Sequence, residues 1–164
     1  MRIAFDCDDA GLPLKSVIIQ HLRDHGIDAV DLNLLGERKV DYPDIGYNLA
    51  KRVAAKEFER GILVCGTGLG MAMVANKVEG VFAGTCHDTY SAERLCKSNG
   101  AQVLTLGARV VGPELAKTIV SAWIKSEFEG GRSLPKVERM RQLDRQERSS
   151  DATASVRNPQ ASAQ

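Results

Sequence analysis

Short apolar runs alternate with amphipathic segments from residue 2 to residue 124. The runs have the length of single strands and consist mainly of Ile, Val, Leu and Ala, so they predict buried β-strands. These strands are predicted at residues 2–5, 27–32, 61–65, 81–85 and 103–106. Between them, apolar residues recur every three or four positions, which is typical of helices packed on one side. Helices are therefore predicted at residues 14–22, 43–58, 89–96 and 113–124, with a shorter one that follows Gly70 and ends near Lys77.

Individual residues mark the ends of several of these helices. Gly26 ends the first one, Asp88 caps the helix that reaches Cys96, and Pro113 stands at the first position of the next. The apolar stripe of that last helix is predicted to consist of Leu115, Ile119, Trp123 and Ile124.

Strands that alternate with helices form βαβ units, whose parallel sheet is covered on both faces. The chain is therefore predicted to be an α/β protein, a Rossmann-like three-layer sandwich with a five-stranded parallel sheet. Its 164 residues fit one medium domain with a tail. Gly130-Gly131 interrupts the pattern, and residues 134–145 predict one more, highly charged helix. We expect a domain over residues 1–145 and a disordered tail over residues 146–164, which contain almost no bulky apolar residues.

The composition and the residue pattern argue against several classes of function. Twenty-two basic residues against 21 acidic ones give a net charge of +1, which argues against a nucleic-acid binder. No apolar run approaches the ~18–20 residues of a membrane span, and the N-terminus lacks the apolar core of a signal peptide. The cysteines form no CxxC pair and have no metal-ligand spacing, so we expect a cytoplasmic protein with reduced thiols at Cys7, Cys65, Cys86 and Cys96.

The loop after the third predicted strand carries the most chemistry. It reads Cys65-Gly66-Thr67-Gly68-Leu69-Gly70 and leads into a helix at the edge of the sheet where α/β proteins bind ligands. Three alternating glycines let backbone N–H groups converge on an anion and let a ligand approach the main chain. Met71 stands where a dinucleotide fingerprint needs its third glycine and where a cysteine phosphatase needs its arginine. A Walker loop is excluded by Gly70-Met71-Ala72, so an anion site and a tight turn that only packs the helix remain.

Cys65 has two interpretations. A cysteine at the end of a buried strand is most often an inert small apolar residue. Beside a glycine loop and a helix N-terminus, however, its thiolate is favoured and serves as a nucleophile or a general base. Cys7, Cys86 and Cys96 lack that setting, and we interpret them as packing residues.

Three carboxylates follow the first strand at the same edge of the predicted sheet. Asp6, Asp8 and Asp9 could bind a metal, act as a base, bind hydroxyl groups or form a solvated turn. No other ligand lies nearby in sequence, so a metal is disfavoured. His87 follows the fourth strand at the same edge, whereas His21 and His25 share a helix face without an evident third ligand.

The cations that could bind an anion are Arg109, Arg132 and Lys136. Arg132 and Lys136 are one helical turn apart and can face one anion together. For each of the three, a solvated surface charge is the alternative.

From Met1 to about Met140 the chain resembles the type B ribose-5-phosphate isomerase family, which includes the galactose-6-phosphate isomerase subunits. Seven segments occur in the order found in that family. They are Cys7-Asp8-x-x-Gly11, Asp41-Tyr42-Pro43, Gly61 to Gly70, Ala75-Asn76-Lys77, His87 to Ala92, Gly107 to Gly112 and Glu129-Gly130-Gly131-Arg132.

The resemblance implies an aldose–ketose isomerase of sugar phosphates that needs neither a metal nor a cofactor. Such an enzyme moves a proton between C1 and C2 through a cis-enediolate. By position, Cys65 matches the base that takes the proton from carbon, and Thr67 is a candidate for moving the hydroxyl proton. The amides of the loop are then expected to bind the enediolate oxygens, at Gly66, Gly68, Leu69 and Gly70.

The resemblance also assigns substrate-binding positions outside the loop. Asp8 and Asn99 match residues that bind substrate hydroxyls, and Arg109, Arg132 and Lys136 match basic residues that bind the anion. The family is dimeric, with each site built across the subunit interface. We therefore expect a homodimer in which Arg132 and Lys136 serve the partner subunit's pocket, and we leave open whether two dimers form a tetramer.

Three departures from the family pattern narrow the choice of substrate. Asp9, which we include among the substrate-binding residues, replaces a common histidine, and Lys136 replaces an arginine. Ser98 replaces the histidine that opens the furanose ring, and a serine is no acid–base group near neutral pH. A tetrose 4-phosphate cannot close a furanose ring, because its O4 is esterified.

The segment Ser98-Asn99-x-Ala101-Gln102 also resembles the erythritol-pathway branch of the family. The sequence thus predicts interconversion of D-erythrulose 4-phosphate and D-erythrose 4-phosphate. The alternatives are a ribose 5-phosphate isomerase and a non-catalytic sugar-phosphate sensor or partner subunit.

Overall fold

The computed structural model describes residues 1–37 and 40–157. Its strands are β1 (Arg2–Cys7), β2 (Asp28–Asp31), β3 (Arg60–Cys65), β4 (Ala83–Thr85) and β5 (Val103–Gly107). Its helices are α1 (Leu12–Asp24), α2 (Leu34–Glu37), α3 (Tyr42–Ala54), α4 (Leu69–Ala75), α5 (Thr89–Lys97), α6 (Pro113–Ile124) and α7 (Leu134–Arg157). Short 3-10 turns precede α1 and α7, at Asp9–Gly11 and Gly131–Ser133.

The five strands form one sheet in the order β2-β1-β3-β5-β4, and every neighbouring pair is parallel. This confirms the predicted five-stranded parallel sheet. Strand β2 lies on one side of β1, and the later strands β3, β5 and β4 follow in that order on its other side. The carboxyl ends of β1 and β3 therefore flank the point where the strand order reverses, which is where open α/β sheets bind ligands.

Helices cover both faces of the sheet, as a three-layer sandwich requires. One core cluster joins α1, α5 and α6 to strand residues such as Phe5, Val64 and Leu106. The other joins α3 and α4 to the alternate strand positions, such as Leu63 and Val103. Burial on both faces explains why the strands read as continuous apolar runs in the sequence.

The chain divides into two compact units after Gly130. The first, Met1–Gly130, contains the sheet and helices α1 to α6. The second begins at Gly131 and contains α7. Gly130 and Gly131 have φ angles of 65° and 53°, a backbone that glycine adopts without strain. A single domain ending at residue 145, with a disordered tail over residues 146–164, stays a prediction.

Helix α7 continues past residue 145, where the sequence predicts its end. Arg148 forms an ion pair with Asp144 one turn earlier, at 2.9 Å, and the hydroxyl of Ser149 donates to the carbonyl of Arg145. Contacts at a spacing of four residues stabilise this part of the helix, and α7 ends at Arg157.

Several boundaries differ from the sequence prediction. Helix α3 ends at Ala54 and not near Phe58, because the backbone turns at Lys56 with a φ of 63°. The short helix α2 was not predicted at all. Leu115 was expected in the apolar stripe of α6, yet it is 43% exposed, and Ala116 and Val120 take that face instead.

None of the helices within residues 1–37 and 40–157 combines the length and apolarity needed to cross a bilayer.

Candidate active site

A pocket of about 280 Å³ opens at the carboxyl ends of β1 and β3. The fold brings these residues together because parallel strands all end at the same edge of their sheet. All the lining residues except Tyr42 are among the site residues predicted from the sequence. The lining consists of Asp8, Tyr42, Cys65, Gly66, Thr67, Gly70 and Arg109.

Cys65 is the last residue of β3 and carries a free thiol that is only 6% exposed. Its sulfur accepts a hydrogen bond from the N–H of Gly68 at 3.1 Å. Gly68 has a φ of 79°, so the chain turns back over the end of the strand. An N–H donor aimed at sulfur stabilises a thiolate, which is the form that removes protons or attacks carbon.

The other three cysteines are buried and do not line the pocket. Burial raises the pKa of Cys7 to about 12 and that of Cys86 to about 11. Burial also raises the pKa of Cys96, whose thiol donates to the carbonyl of Ser126. These three remain neutral thiols near pH 7, in agreement with their interpretation as packing residues.

The end of β5 supports the glycine loop from behind. Gly107 lies opposite Cys65 in the β3–β5 register. A Cβ atom at Gly107 would lie 2.8 Å from the Cα of Thr67, so the two backbones touch. The N–H of Gly107 donates to Nε2 of His87 at 3.1 Å. His87 therefore contacts the end of β5 and is not among the residues that line the pocket.

Arg109 brings a positive charge to the loop. The N–H of Ala108 donates to the carbonyl of Cys65 at 2.8 Å, and the N–H of Arg109 donates to the carbonyl of Gly66 at 3.1 Å. These bonds join the segment after β5 to the end of β3. The guanidinium lies over Gly66, where a Cβ atom would meet Nη1 at 3.4 Å. A fixed cation beside converging amides suits an anionic ligand.

The structure separates the three aspartates of the first strand. Asp8 lines the pocket, and its carboxylate accepts from the N–H of Gly11 at 3.1 Å. Burial raises the pKa of Asp8, although the charge of Arg109 opposes this. Asp9 is exposed and lines an adjoining pocket of about 350 Å³ together with Asp41. Of the three, Asp8 lines the pocket formed with the glycine loop, and the role of Asp9 in substrate binding stays a prediction.

Asp6 is buried beneath the edge of the sheet. Its carboxylate accepts from the N–H groups of Cys7 at 2.9 Å and Leu34 at 3.4 Å. Burial raises the pKa of Asp6 to about 6, with a smaller raising effect from Asp31 and an opposing one from Lys15. A group with a raised pKa in the folded state opposes folding once it ionises.

Asp6→Asn should therefore make the protein more stable at pH 8. The ionised carboxylate costs about 3 kcal/mol of unfolding free energy, from a pKa of 3.8 in the unfolded chain and about 6 in the folded one. This cost is absent below about pH 4 and complete above about pH 7. Urea unfolding at several pH values should show an advantage for the variant that disappears on acidification. An advantage that is the same at every pH would contradict this account.

Tyr42 was missed as a site residue by the sequence reasoning. Its ring covers Gly70, where a Cβ atom would meet Cε2 at 2.5 Å. A signal was available, because a helix that leads into a parallel strand begins at the edge where strands end. Tyr42 is the first residue of α3, which leads into β3.

Asn99 does not lie near Cys65 in this chain. It is exposed and follows α5 at the amino edge of the sheet. There the N–H of Gly61, at the start of β3, donates to the carbonyl of Gln102. Cys65 ends that same strand, so the two residues lie at opposite edges.

The other predicted site residues have three different settings. Leu69 begins α4 and is 53% exposed. Arg132 lies in the turn before α7 and Lys136 lies in α7, both within the second compact unit. Their place in the site stays a prediction.

His21 in α1 contacts α6, and His25, which follows α1, is exposed. The rings of His21 and His25 have centroids 4.3 Å apart, and Nε2 of His21 lies 2.7 Å from the hydroxyl of Ser121. Over the part of the chain that the structure describes, no group of three or more His, Cys, Asp or Glu residues is placed to hold a metal ion.

Comparison with known proteins identifies the family. A family model described as Ribose/Galactose Isomerase matches residues 3–140, which include the whole pocket. The chain belongs to this family. The resemblance inferred from the seven sequence segments is thereby confirmed.

Individual family members agree with this chain over nearly their whole length. The D-erythrulose-4-phosphate isomerase of Pectobacterium atrosepticum is 50% identical over 150 residues, which are 90% of this chain and 98% of the relative. The ribose-5-phosphate isomerase B of Escherichia coli is 43% identical, over 84% of this chain and 92% of the relative. The solved structure of Clostridium thermocellum ribose-5-phosphate isomerase B has a TM-score of 0.84 at 40% identity, and covers 89% of this chain and 99% of its own.

Proposed function

We propose that this protein is an aldose–ketose isomerase that interconverts D-erythrulose 4-phosphate and D-erythrose 4-phosphate. The observation that carries the proposal is the 50% identity to a D-erythrulose-4-phosphate isomerase over 98% of that relative. A pocket with a thiol, a glycine loop and an arginine has the parts that this reaction needs.

The thiolate of Cys65 acts as the base in the proposed reaction. It takes a proton from C1 of the ketose, and the electrons of that C–H bond form the C1–C2 double bond of an enediolate. The same sulfur then returns the proton to C2, which yields the aldose. The hydroxyl of Thr67 moves the remaining proton from O1 to O2. No electron leaves the substrate, so the reaction needs no external oxidant or reductant.

Backbone donors stabilise the enediolate in this proposal. In this proposal the amides of Gly66, Leu69 and Gly70 bind the substrate oxygens at the end of β3, where negative charge develops, while the N–H of Gly68 donates to the sulfur of Cys65. Preorganised donors of this kind are worth ~3–4 kcal/mol in the transition state. Asp8 binds a substrate hydroxyl, and Arg109 contributes to binding the anionic groups.

The lining of the pocket favours a substrate without a ring. None of the residues that line it within one chain is a histidine. The position next to Asn99 is Ser98, which has no acid–base role near neutral pH. A tetrose 4-phosphate needs no such group, because its O4 carries the phosphate and cannot close the ring.

We propose a homodimer in which each pocket is completed by the partner subunit. Asn99 lies at the edge of the sheet opposite Cys65, so one chain cannot bring both to one substrate. A second copy supplies Asn99, together with Arg132 and Lys136 for the phosphate. Three polar side chains then complete a pocket that one chain leaves open on one side.

A panel of aldose phosphates with four, five and six carbons tests the choice of substrate. We expect kcat/KM for the four-carbon substrate to exceed that for ribose 5-phosphate by roughly 10-fold or more. The matched variant Ser98→His should raise activity on ribose 5-phosphate more than activity on the tetrose. A wild-type preference for ribose 5-phosphate would reject the tetrose assignment and leave ribose 5-phosphate isomerisation, the activity named for the E. coli relative.

A further inference from the structure

Strand β5 contains one polar residue in its core, Thr105. The strand reads Val103-Leu104-Thr105-Leu106-Gly107 and is buried along its whole length. The side chain of Thr105 is 0% exposed. A buried hydroxyl costs free energy unless it is hydrogen-bonded, and valine would fill the same space without that cost. The partners of the Thr105 hydroxyl therefore indicate what it does.

Two hydrogen bonds satisfy this hydroxyl. It donates to the carbonyl of Gly68 at 2.9 Å, and it lies 2.7 Å from the hydroxyl of Thr85, its direct neighbour across β4 and β5. Since the single hydrogen of Thr105 goes to the carbonyl, Thr85 must donate to Thr105. The three groups form a directed chain from Thr85 through Thr105 to Gly68.

Gly68 links this chain to the thiol. The N–H of Gly68 donates to the sulfur of Cys65 at 3.1 Å, while its carbonyl accepts from Thr105. Glycine has the widest choice of backbone conformations, and Gly68 adopts a φ of 79°. Its carbonyl also accepts from the N–H of Ala72 at 3.1 Å, the first bond of α4. Loss of the Thr105 hydroxyl would therefore loosen Gly68 without leaving the Gly68 carbonyl unpaired.

We propose that Thr105 is a positioning residue that holds Gly68 so that its N–H points at the sulfur of Cys65. Thr85 orients the hydroxyl of Thr105 and so acts on Gly68 only through Thr105. The consequence for turnover rests on the proposed role of Cys65, but the consequence for the reactivity of the thiol does not.

The variant Thr105→Val removes the hydroxyl and keeps the shape of the side chain. The rate of alkylation of Cys65 by iodoacetamide, followed against pH by peptide mass spectrometry, measures how readily its thiolate forms. Cys7, Cys86 and Cys96 do not line the pocket, and burial raises the pKa of each, so they react slowly in the folded protein. We expect the midpoint of the Cys65 curve to rise by about one pH unit in the variant. We also expect kcat to fall about 10-fold with KM unchanged within about twofold.

Three further variants separate positioning from a merely structural role. Thr105→Ser keeps the hydroxyl and should restore both the midpoint and kcat. Thr85→Val should have a smaller effect, of about two- to threefold on kcat, because Thr105 still donates to Gly68. The double variant of Thr85 and Thr105 to Val leaves no hydroxyl unpaired, so it should remain folded and show the same midpoint as Thr105→Val.

The proposal is overturned if the double variant alkylates with the wild-type midpoint, or if Thr105→Val lowers only the melting temperature. If the wild-type protein turns over none of the sugar phosphates in the panel, the proposed function fails. The alkylation curves still decide the role of Thr105 in that case.

Discussion

Replacing Cys65 with Ala should lower kcat on D-erythrulose 4-phosphate by roughly three orders of magnitude, within the range typical of a lost general base. Cys65 ends β3 inside the pocket, and its sulfur accepts from the N–H of Gly68. No other side chain that lines the pocket offers a sulfur, and Asp8 already accepts from the N–H of Gly11. The residues proposed to bind the phosphate are untouched, so calorimetry should still detect substrate binding.

Cys96→Ala is the matched control for this variant. Cys96 is buried in α5 and donates to the carbonyl of Ser126, far from the carboxyl edge of the sheet. Its replacement should lower the melting temperature and leave kcat within about twofold of wild type.

Incorporation of solvent deuterium at C1 or C2 reports the proton transfer directly. If wild type binds the sugar phosphate but exchanges no carbon-bound hydrogen, the protein is a sensor or a partner subunit instead.

Gly107→Ala should lower kcat/KM by roughly a hundredfold, because it displaces the glycine loop. A Cβ atom at Gly107 would lie 2.8 Å from the Cα, carbonyl carbon and carbonyl oxygen of Thr67. These are backbone atoms and cannot move aside as a flexible side chain would. Thr67 must shift, and with it the amides that are proposed to bind the enediolate. A misplacement of about 1 Å is enough to cost this much activity.

Gly112→Ala provides the comparison for this substitution. Gly112 precedes α6 with a φ of −80°, and no heavy atom lies within 4 Å of the position its Cβ would take. Its activity should stay within about twofold of wild type. Steady-state kinetics and circular dichroism on both variants test the prediction. Equal activity of the two would mean that the packing of Gly107 on Thr67 does not position the loop.

The sequence predicted the parts of the site that are local to one strand end. Cys65 to Gly70 follow β3 directly, so strand, loop and helix could be placed from one stretch of chain. Asp8 and Arg109 could be placed at the same edge, because each follows a parallel strand. Their convergence on Cys65 in one pocket depends on the strand order, which places β1 and β5 on either side of β3.

Features that depend on the strand order could not be predicted. Strand β5 lies between β3 and β4, so it brings Thr105 beside both Thr85 and the glycine loop. Nothing in the local sequence pattern shows that β5 lies between β3 and β4. In the sequence, Thr105 looks like any other strand residue. Burial of Asp6 was equally hidden, because an acidic cluster after a strand is compatible with a solvated turn.

The two strands at the edges of the sheet, β2 and β4, are also its shortest strands. Strand β2 has four residues and β4 has three, whereas the inner strands β1, β3 and β5 have six, six and five. An exposed edge strand can pair with another polypeptide through its unpaired N–H and C=O groups. A short edge strand offers few of these groups. Extension of the sheet into fibrils by pairing of edge strands is thereby disfavoured.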